Sequence, residues 1–184
     1  MTSRVMRVRP PCRRGIHQGL RTHFRMWVDA SGVERGLGAL MLDGNKFEYC
    51  HCTLPQGVWE QLNPRGDHNI GSQEMLAAVM GLHTWKDKFA GHCLSFFGGN
   101  AGVVGSMIRG SSKAREINAL TGRMWMHIAC EDIAMMIYRA KSESNPADGP
   151  SRGKFDLRSH LCAEDVAPKF PSWAYDLWSI PSIL

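Results

Sequence analysis

The sequence has no acidic residue before Asp29, no C-x-x-C pair, and no apolar core segment in its first 25 positions. Its strongly apolar runs, such as Ile133 to Tyr138, fall far short of the ~20 residues that span a bilayer. A membrane protein is therefore not expected, and neither is a secretory signal. The six cysteines are Cys12, Cys50, Cys52, Cys93, Cys130 and Cys162, and no second cluster completes a zinc spacing. They read as free thiols of a reducing, intracellular compartment that the sequence does not specify further. Cys50 and Cys52 fall on one face of a strand, where they serve as small buried hydrophobes.

What is present fits a folded chain. The 184 residues allow one domain of ordinary size with tails. The hydrophobic share of 43% and the charged share of 21% are those of a globular protein, not a disordered one. The net charge of +5 is unevenly placed. Arg4, Arg7, Arg9, Arg13, Arg14, Arg21 and Arg25 crowd the start of the chain, and the remainder is slightly acidic. The basic character thus belongs to an arm over residues 1–23. The arm is open to three readings: a solvated linker, a phosphate-binding arm, or a transit peptide.

Alternation of Phe24, Met26, Val28 and Ala30 with Arg25, Trp27, Asp29 and Ser31 predicts a first strand. Leu37 to Leu42 and Phe47 to Leu54 are the next strands, joined by Asp43-Gly44-Asn45, a strong hairpin signal. Pro55 to Ile70 reads as a loop. Ser72 is the expected N-cap of a helix over 73–89, striped by Met75, Val79, Leu82 and Phe89. A strand over 92–97, a short helix over 101–109, a longer helix over 114–130 and a fifth strand over 133–141 complete the pattern. The fold class is α/β: a five-stranded mixed sheet, an antiparallel meander followed by parallel βαβ units, flanked by helices. The domain is expected over 24–153, with 154–184 as a tail carrying Pro168, Pro171, Trp173 and Trp178.

Three acids stand out. Asp29 lies within an apolar strand, where a carboxylate is costly unless bonded, paired or metal-bound. Glu74 opens the long helix, and the small residues Ala77, Ala78 and Gly81 share its face, which turns it toward the sheet. It also suits the positive end of the helix dipole. Asp148 comes after Asn145-Pro146-Ala147, a cap and first turn for a short helix.

The pieces occur in a telling order: Asp29-Ala30-Ser31, Gly36-Leu37-Gly38-Ala39, Ile70-x-x-x-Glu74-x-x-Ala77, Gly98-Gly99-Asn100-Ala101, and Asn145-Pro146-Ala147-Asp148-Gly149-Pro150-Ser151-Arg152. Over residues 25 to 153 this resembles the ribonuclease H domain of retroelement reverse transcriptases. The resemblance implies two Mg²⁺ or Mn²⁺ ions held ~3.5–4 Å apart by carboxylates against the scissile phosphate of an RNA–DNA hybrid. It implies Asp29, Glu74 and Asp148 as catalytic metal ligands, and Ser31, Asn100 and Asn145 on the substrate side. It also implies a flanking reverse transcriptase domain as partner. Position 99 departs from the pattern: the family places an Asp before Asn100, and this chain has Gly99. Three functions stay open on the sequence: an RNA-strand hydrolase, a nucleic-acid-binding remnant with little catalysis, and a structural spacer beside a polymerase.

Overall fold

The computed structural model describes residues 21–62, 70–156 and 161–174. Most of the basic arm, residues 1–20, lies outside the described residues, as does the tail beyond Ala174 with Trp178. One sheet organises the fold, with strands β1 (His23–Ala30), β2 (Gly36–Asp43), β3 (Lys46–Thr53), β4 (Cys93–Gly98), β5 (Ala134–Arg139) and β6 (Glu164–Asp165). Their spatial order is β5-β4-β1-β2-β3-β6. β1, β2 and β3 pair antiparallel, while β4 lies parallel to β1 and β5 parallel to β4. The mixed α/β class expected from the sequence is the class the structure has.

The meander arises from alternation and one tight turn. Gly44, at φ +58°, supplies the left-handed residue of the two-residue loop between Asp43 and Lys46. The helices are α1 (Gln56–Leu62), α2 (Gly71–Thr84), α3 (Lys86–Phe89), α4 (Ala101–Arg109), α5 (Arg115–Cys130) and α6 (Asp148–Ser151). α4 has clear punctuation. Asn100 Oδ1 accepts from the Gly102 and Val103 amides at 2.8 and 3.3 Å, and Gly110 ends the helix at φ +73°. The core lies between the sheet and α2, α4 and α5, and includes Met26, Val28, Leu37, Ala39, Leu94 and Phe96.

Several expectations change. The sheet has six strands instead of five, because the tail returns and Glu164–Asp165 pair parallel with Glu48–Tyr49. The segment expected as loop contains α1, which buries Val58 and Leu62. Ser72 is inside α2 and caps nothing: the helix begins at Gly71 after Ile70, with no side-chain cap. The single helix over 73–89 divides at Trp85, whose indole donates to Glu48 Oε2 at 2.9 Å. Burial pushes the Glu48 carboxyl up, but bonds from Lys88, Lys46 and Trp85 outweigh it and hold the group below its ordinary value. Cys50 and Cys52 are buried free thiols, pushed by burial to about 12.

Both ends expected to lie outside the domain touch it. Arg21 pairs with Asp132 at 2.9 Å, and the Thr22 carbonyl accepts from the Cys93 amide at 3.0 Å. Phe170 and Ala174 enter the core, and Arg123 lies over the Trp173 ring at 4.6 Å. No helix among the described residues is long and apolar enough to cross a membrane. The Phe170 ring is 8% exposed, so Phe170→Ala is expected to cost ~3 kcal/mol in urea denaturation. A loss below ~1 kcal/mol would mean the tail rests on the body without completing its core.

Candidate functional site

The site begins with two absent side chains. Gly36 and Gly38 occupy alternate positions on β2, and a β-carbon on either would overlap the main chain of Ser151. Their absence lets α6 lie directly on the sheet. Asn145 fixes the approach: its Nδ2 donates to the Val28 carbonyl at 2.9 Å, and its Oδ1 accepts from the Ala147 amide at 3.1 Å. Asn145 is buried, so its side chain serves to anchor the loop to β1. The N-cap of α6 is Ala147 and not Asn145, because the Asn145 carbonyl closes a turn onto the Asp148 amide one residue earlier.

With α6 seated, Ser151 Oγ lies 2.9 Å from Asp29 Oδ2 and 2.9 Å from the Asp148 carbonyl, its one proton serving either. Asp29 is 9% exposed, and burial raises its pKa. Ser151 opposes that rise, nearby Asp148 adds to it, and Arg152 opposes it weakly. The Asp148 carboxylate is itself bonded to Arg152 Nε at 2.9 Å, both side chains being well exposed.

Glu74 comes from the other face of the sheet, on the first turn of α2. It is 4% exposed and accepts from the Asn100 amide at 3.0 Å. Burial pushes its carboxyl up to about 7; the Asn100 bond resists and the Asp29 charge reinforces the rise. Asn100 thus caps α4 with its side chain while its amide holds Glu74. Ser31, buried after β1, bonds Glu34, whose amide returns 3.3 Å to the Ser31 hydroxyl. Gly99 is buried behind the end of β4, and its carbonyl accepts from Arg139 Nε at 3.4 Å.

The structure therefore brings Asp29 within electrostatic range of both Glu74 and Asp148, and makes it the shared member of two pairs. The expected convergence of all three on one metal-sized pocket is not found. Among the described residues no three of His, Cys, Asp and Glu come close enough to hold an ion. The physical reason is visible in the contacts: Arg152 holds Asp148, and Gly99 contributes no oxygen from a side chain. Carboxylate oxygens are the right donors for Mg²⁺ or Mn²⁺. Their number and arrangement do not fit a two-ion centre. Sequence reasoning assigned no role to Ser151, Arg152, Gly36 or Gly38, although all four stand in the motifs that carry the resemblance.

No family model matches the sequence, and no curated protein matches it. Solved structures do. Ribonuclease H1 from the halophilic archaeon Halobacterium salinarum NRC-1 is 12% identical, covering 74% of this chain and 98% of its own, at a TM-score of 0.47. LC11 ribonuclease H1, isolated from compost by a metagenomic approach, is 11% identical over 76% and 98% of the two chains, with a TM-score of 0.48. The same enzyme in complex with an RNA/DNA hybrid is 12% identical over 76% and 99%, at 0.47.

The burial of Glu74 has a pH signature. Its folded-state value of about 7 lies above the ordinary 4.5, so the folded protein keeps a proton that the unfolded chain releases between those values. That contribution to stability is complete below about pH 4.5 and is lost as pH rises through about 7. Glu74→Gln removes the titration. Urea denaturation is expected to show the variant gaining on the native protein by about 1–3 kcal/mol between pH 5 and pH 8. An equal difference at both pH values would show that Glu74 is solvated.

Proposed function

We propose that residues 24–153 are a ribonuclease H-like domain derived from a retroelement reverse transcriptase, binding RNA–DNA hybrids with hydrolysis of the RNA strand weak or lost. Such a domain reads a hybrid by its shape, phosphates and 2′-hydroxyls, not its sequence. Residues 1–23 then form a basic arm leading into it, and a reverse transcriptase domain is the expected neighbour in a longer polyprotein. Residues 154–184 are proposed as a tail whose described part packs on the domain. Asp29, Glu74 and Asp148 are the catalytic carboxylates of this reading, and Mg²⁺ or Mn²⁺ the cofactor its complete site takes. Ser31, Asn100 and Asn145 were expected at the substrate; Asn145 is better assigned to positioning, since its amide ties the Asp148 loop to β1.

One observation carries the reading. Asp29 at the end of β1 and Glu74 at the start of α2 share a buried, mutually repelling environment. It lies beside the end of β4, where position 99 has no side chain. On this reading the two acids occupy the ends of the elements that would carry metal ligands, and Gly99 offers none between them. Weak hydrolysis, with hybrid binding retained, accords with that combination better than full activity does.

The test is cleavage of an RNA–DNA hybrid in Mg²⁺ and in Mn²⁺, beside hybrid binding in EDTA. The native chain is expected to bind and to cleave slowly or not at all. Gly99 is not among the residues with positive φ, so aspartate fits its backbone. Gly99→Asp is expected to raise cleavage by at least ~10–100-fold, the scale of metal-site perturbations. Mg²⁺ is also expected to raise the variant's melting temperature more than the native one's. Adding Asp29→Asn abolishes both gains. Robust cleavage by the native chain, or no hybrid binding at all, would overturn the reading.

A further inference from the structure

The helices cover the two faces of the sheet unequally. α2 and α4 pack on the face that bears Met26, Val28, Leu94, Phe96 and Met135, with α5 against both helices. Alternation turns Arg25 and Trp27 of β1, Ser95 and Phe97 of β4, and Met136 and Tyr138 of β5 to the opposite face. There, α6 with Phe155, Leu161 and Ala163 covers the β2–β3 side, over Leu40 and Tyr49. α4, the described helix that packs on β4 and β5, does so from the other face, with Val103 and Met107 in the main core.

On the barer half stand three aromatic rings in a row across adjacent strands. The centroids of Trp27 and Phe97 are 5.0 Å apart with planes inclined by 12°, and those of Phe97 and Tyr138 are 5.1 Å apart at 19°. All three are half-buried, and Phe97 and Tyr138 belong to neither hydrophobic cluster. β5 is an edge strand, so Tyr138 ends the column, with Phe97 as its one ring neighbour among the described residues. Parallel rings this close present their outermost face as a place for one more flat ring.

Arg25 stands on the column's face on one side of Trp27, and the buried Asp29 on the other. Arg25 is exposed, shares the face of Trp27, and forms no ion pair among the described residues. The exposed Lys141 comes three residues after Tyr138, while Arg139 alternates to the other face and donates to the Gly99 carbonyl at 3.4 Å. The chain that enters β1 at His23 carries five arginines and no acid in its first 20 residues. Aromatic faces flanked by cations are how proteins hold single-stranded nucleic acid without reading its sequence: bases stack, and the cations take the phosphates.

We propose that the Trp27–Phe97–Tyr138 column, with Arg25, is a stacking site for single-stranded nucleic acid, distinct from the carboxylate site. Trp27 precedes Asp29 by two residues on the same face of β1. A strand leaving a duplex seated at Asp29 therefore passes onto the column; this continuity rests on the hybrid-binding reading, whereas the stacking site does not.

The experiment uses the full chain in EDTA and a dye-labelled thymidine oligonucleotide of about 15 nucleotides, read by fluorescence anisotropy across a salt series. Tyr138→Leu keeps apolar bulk and removes the π face; Tyr138→Trp keeps the face. The expected result is roughly 5- to 100-fold weaker binding for the leucine variant and near-native binding for the tryptophan variant. Arg25→Gln is expected to reduce the slope of log affinity against log salt by about one. A 5-iodouracil oligonucleotide should photocrosslink to Tyr138. Native-strength binding by a folded Tyr138→Leu variant overturns the proposal, as do crosslinks confined to residues 1–20, which would assign binding to the arm alone. A dimer that Tyr138→Leu dissociates, with no oligonucleotide bound by the native chain, assigns the face to a second copy and overturns it too. With no duplex and no metal present, these outcomes do not depend on whether the chain binds or cleaves hybrids.

Discussion

The close seat of α6 on β2 is the contact on which the candidate site depends. A one-turn helix has no stability of its own, since helix nucleation is unfavourable and four residues cannot repay it. α6 exists because the sheet below it lacks two β-carbons and because Asn145 ties the preceding loop to β1. The atoms that would meet an added side chain at Gly36 or Gly38 are main-chain atoms of α6, which cannot swing aside as a flexible side chain can. Ser151 then reaches Asp29, and Asp148 stands at the mouth.

Two buried acids in this chain have opposite electrostatic environments. Glu48 is 4% exposed, yet Lys88 at 2.5 Å, Lys46 at 3.3 Å and the Trp85 indole satisfy it, and it stays easy to ionise. Glu74 is equally buried and has one amide donor and the Asp29 charge nearby, so it resists ionisation. Burial of a carboxylate without a cation costs stability. A chain shaped for stability alone gives each buried acid a partner, as it does for Glu48. Strained acids at strand and helix ends are the pattern of a functional site.

Much of the fold is legible in the sequence where local chemistry decides it. Period-two alternation and Gly44 mark the meander, and the short helix expected over 101–109 is α4. The failures have physical causes. α2 is buried at every residue but His83, so its apolar stripe does not report its surroundings, and a cap at Ser72 has no exposed helix end to satisfy. β6 consists of two acidic residues, Glu164 and Asp165, that pair through their backbone and so give no hydrophobic signal. In the candidate site, motif order singles out Asp29, Glu74, Asp148 and Gly99. The roles of Asn145, Ser31 and Arg152 are not, because they are set by side-chain bonds that form only after distant or turning segments meet.

The same electrostatics give Gly99 a meaning beyond a missing ligand. Asp29 and Glu74 already raise one another's affinity for protons in a buried space. A third carboxylate at the end of β4 adds like charge where solvent is scarce, and that arrangement is stable only when cations offset it. Glycine at position 99 lowers the negative charge, and Arg152 on Asp148 lowers it further at the mouth. In the proposed reading both act in one direction: they lower the repulsion that bound cations would otherwise have to offset. On the reading proposed above, the chain has the strand and helix ends of a carboxylate site with less negative charge to hold the ions that hydrolysis requires.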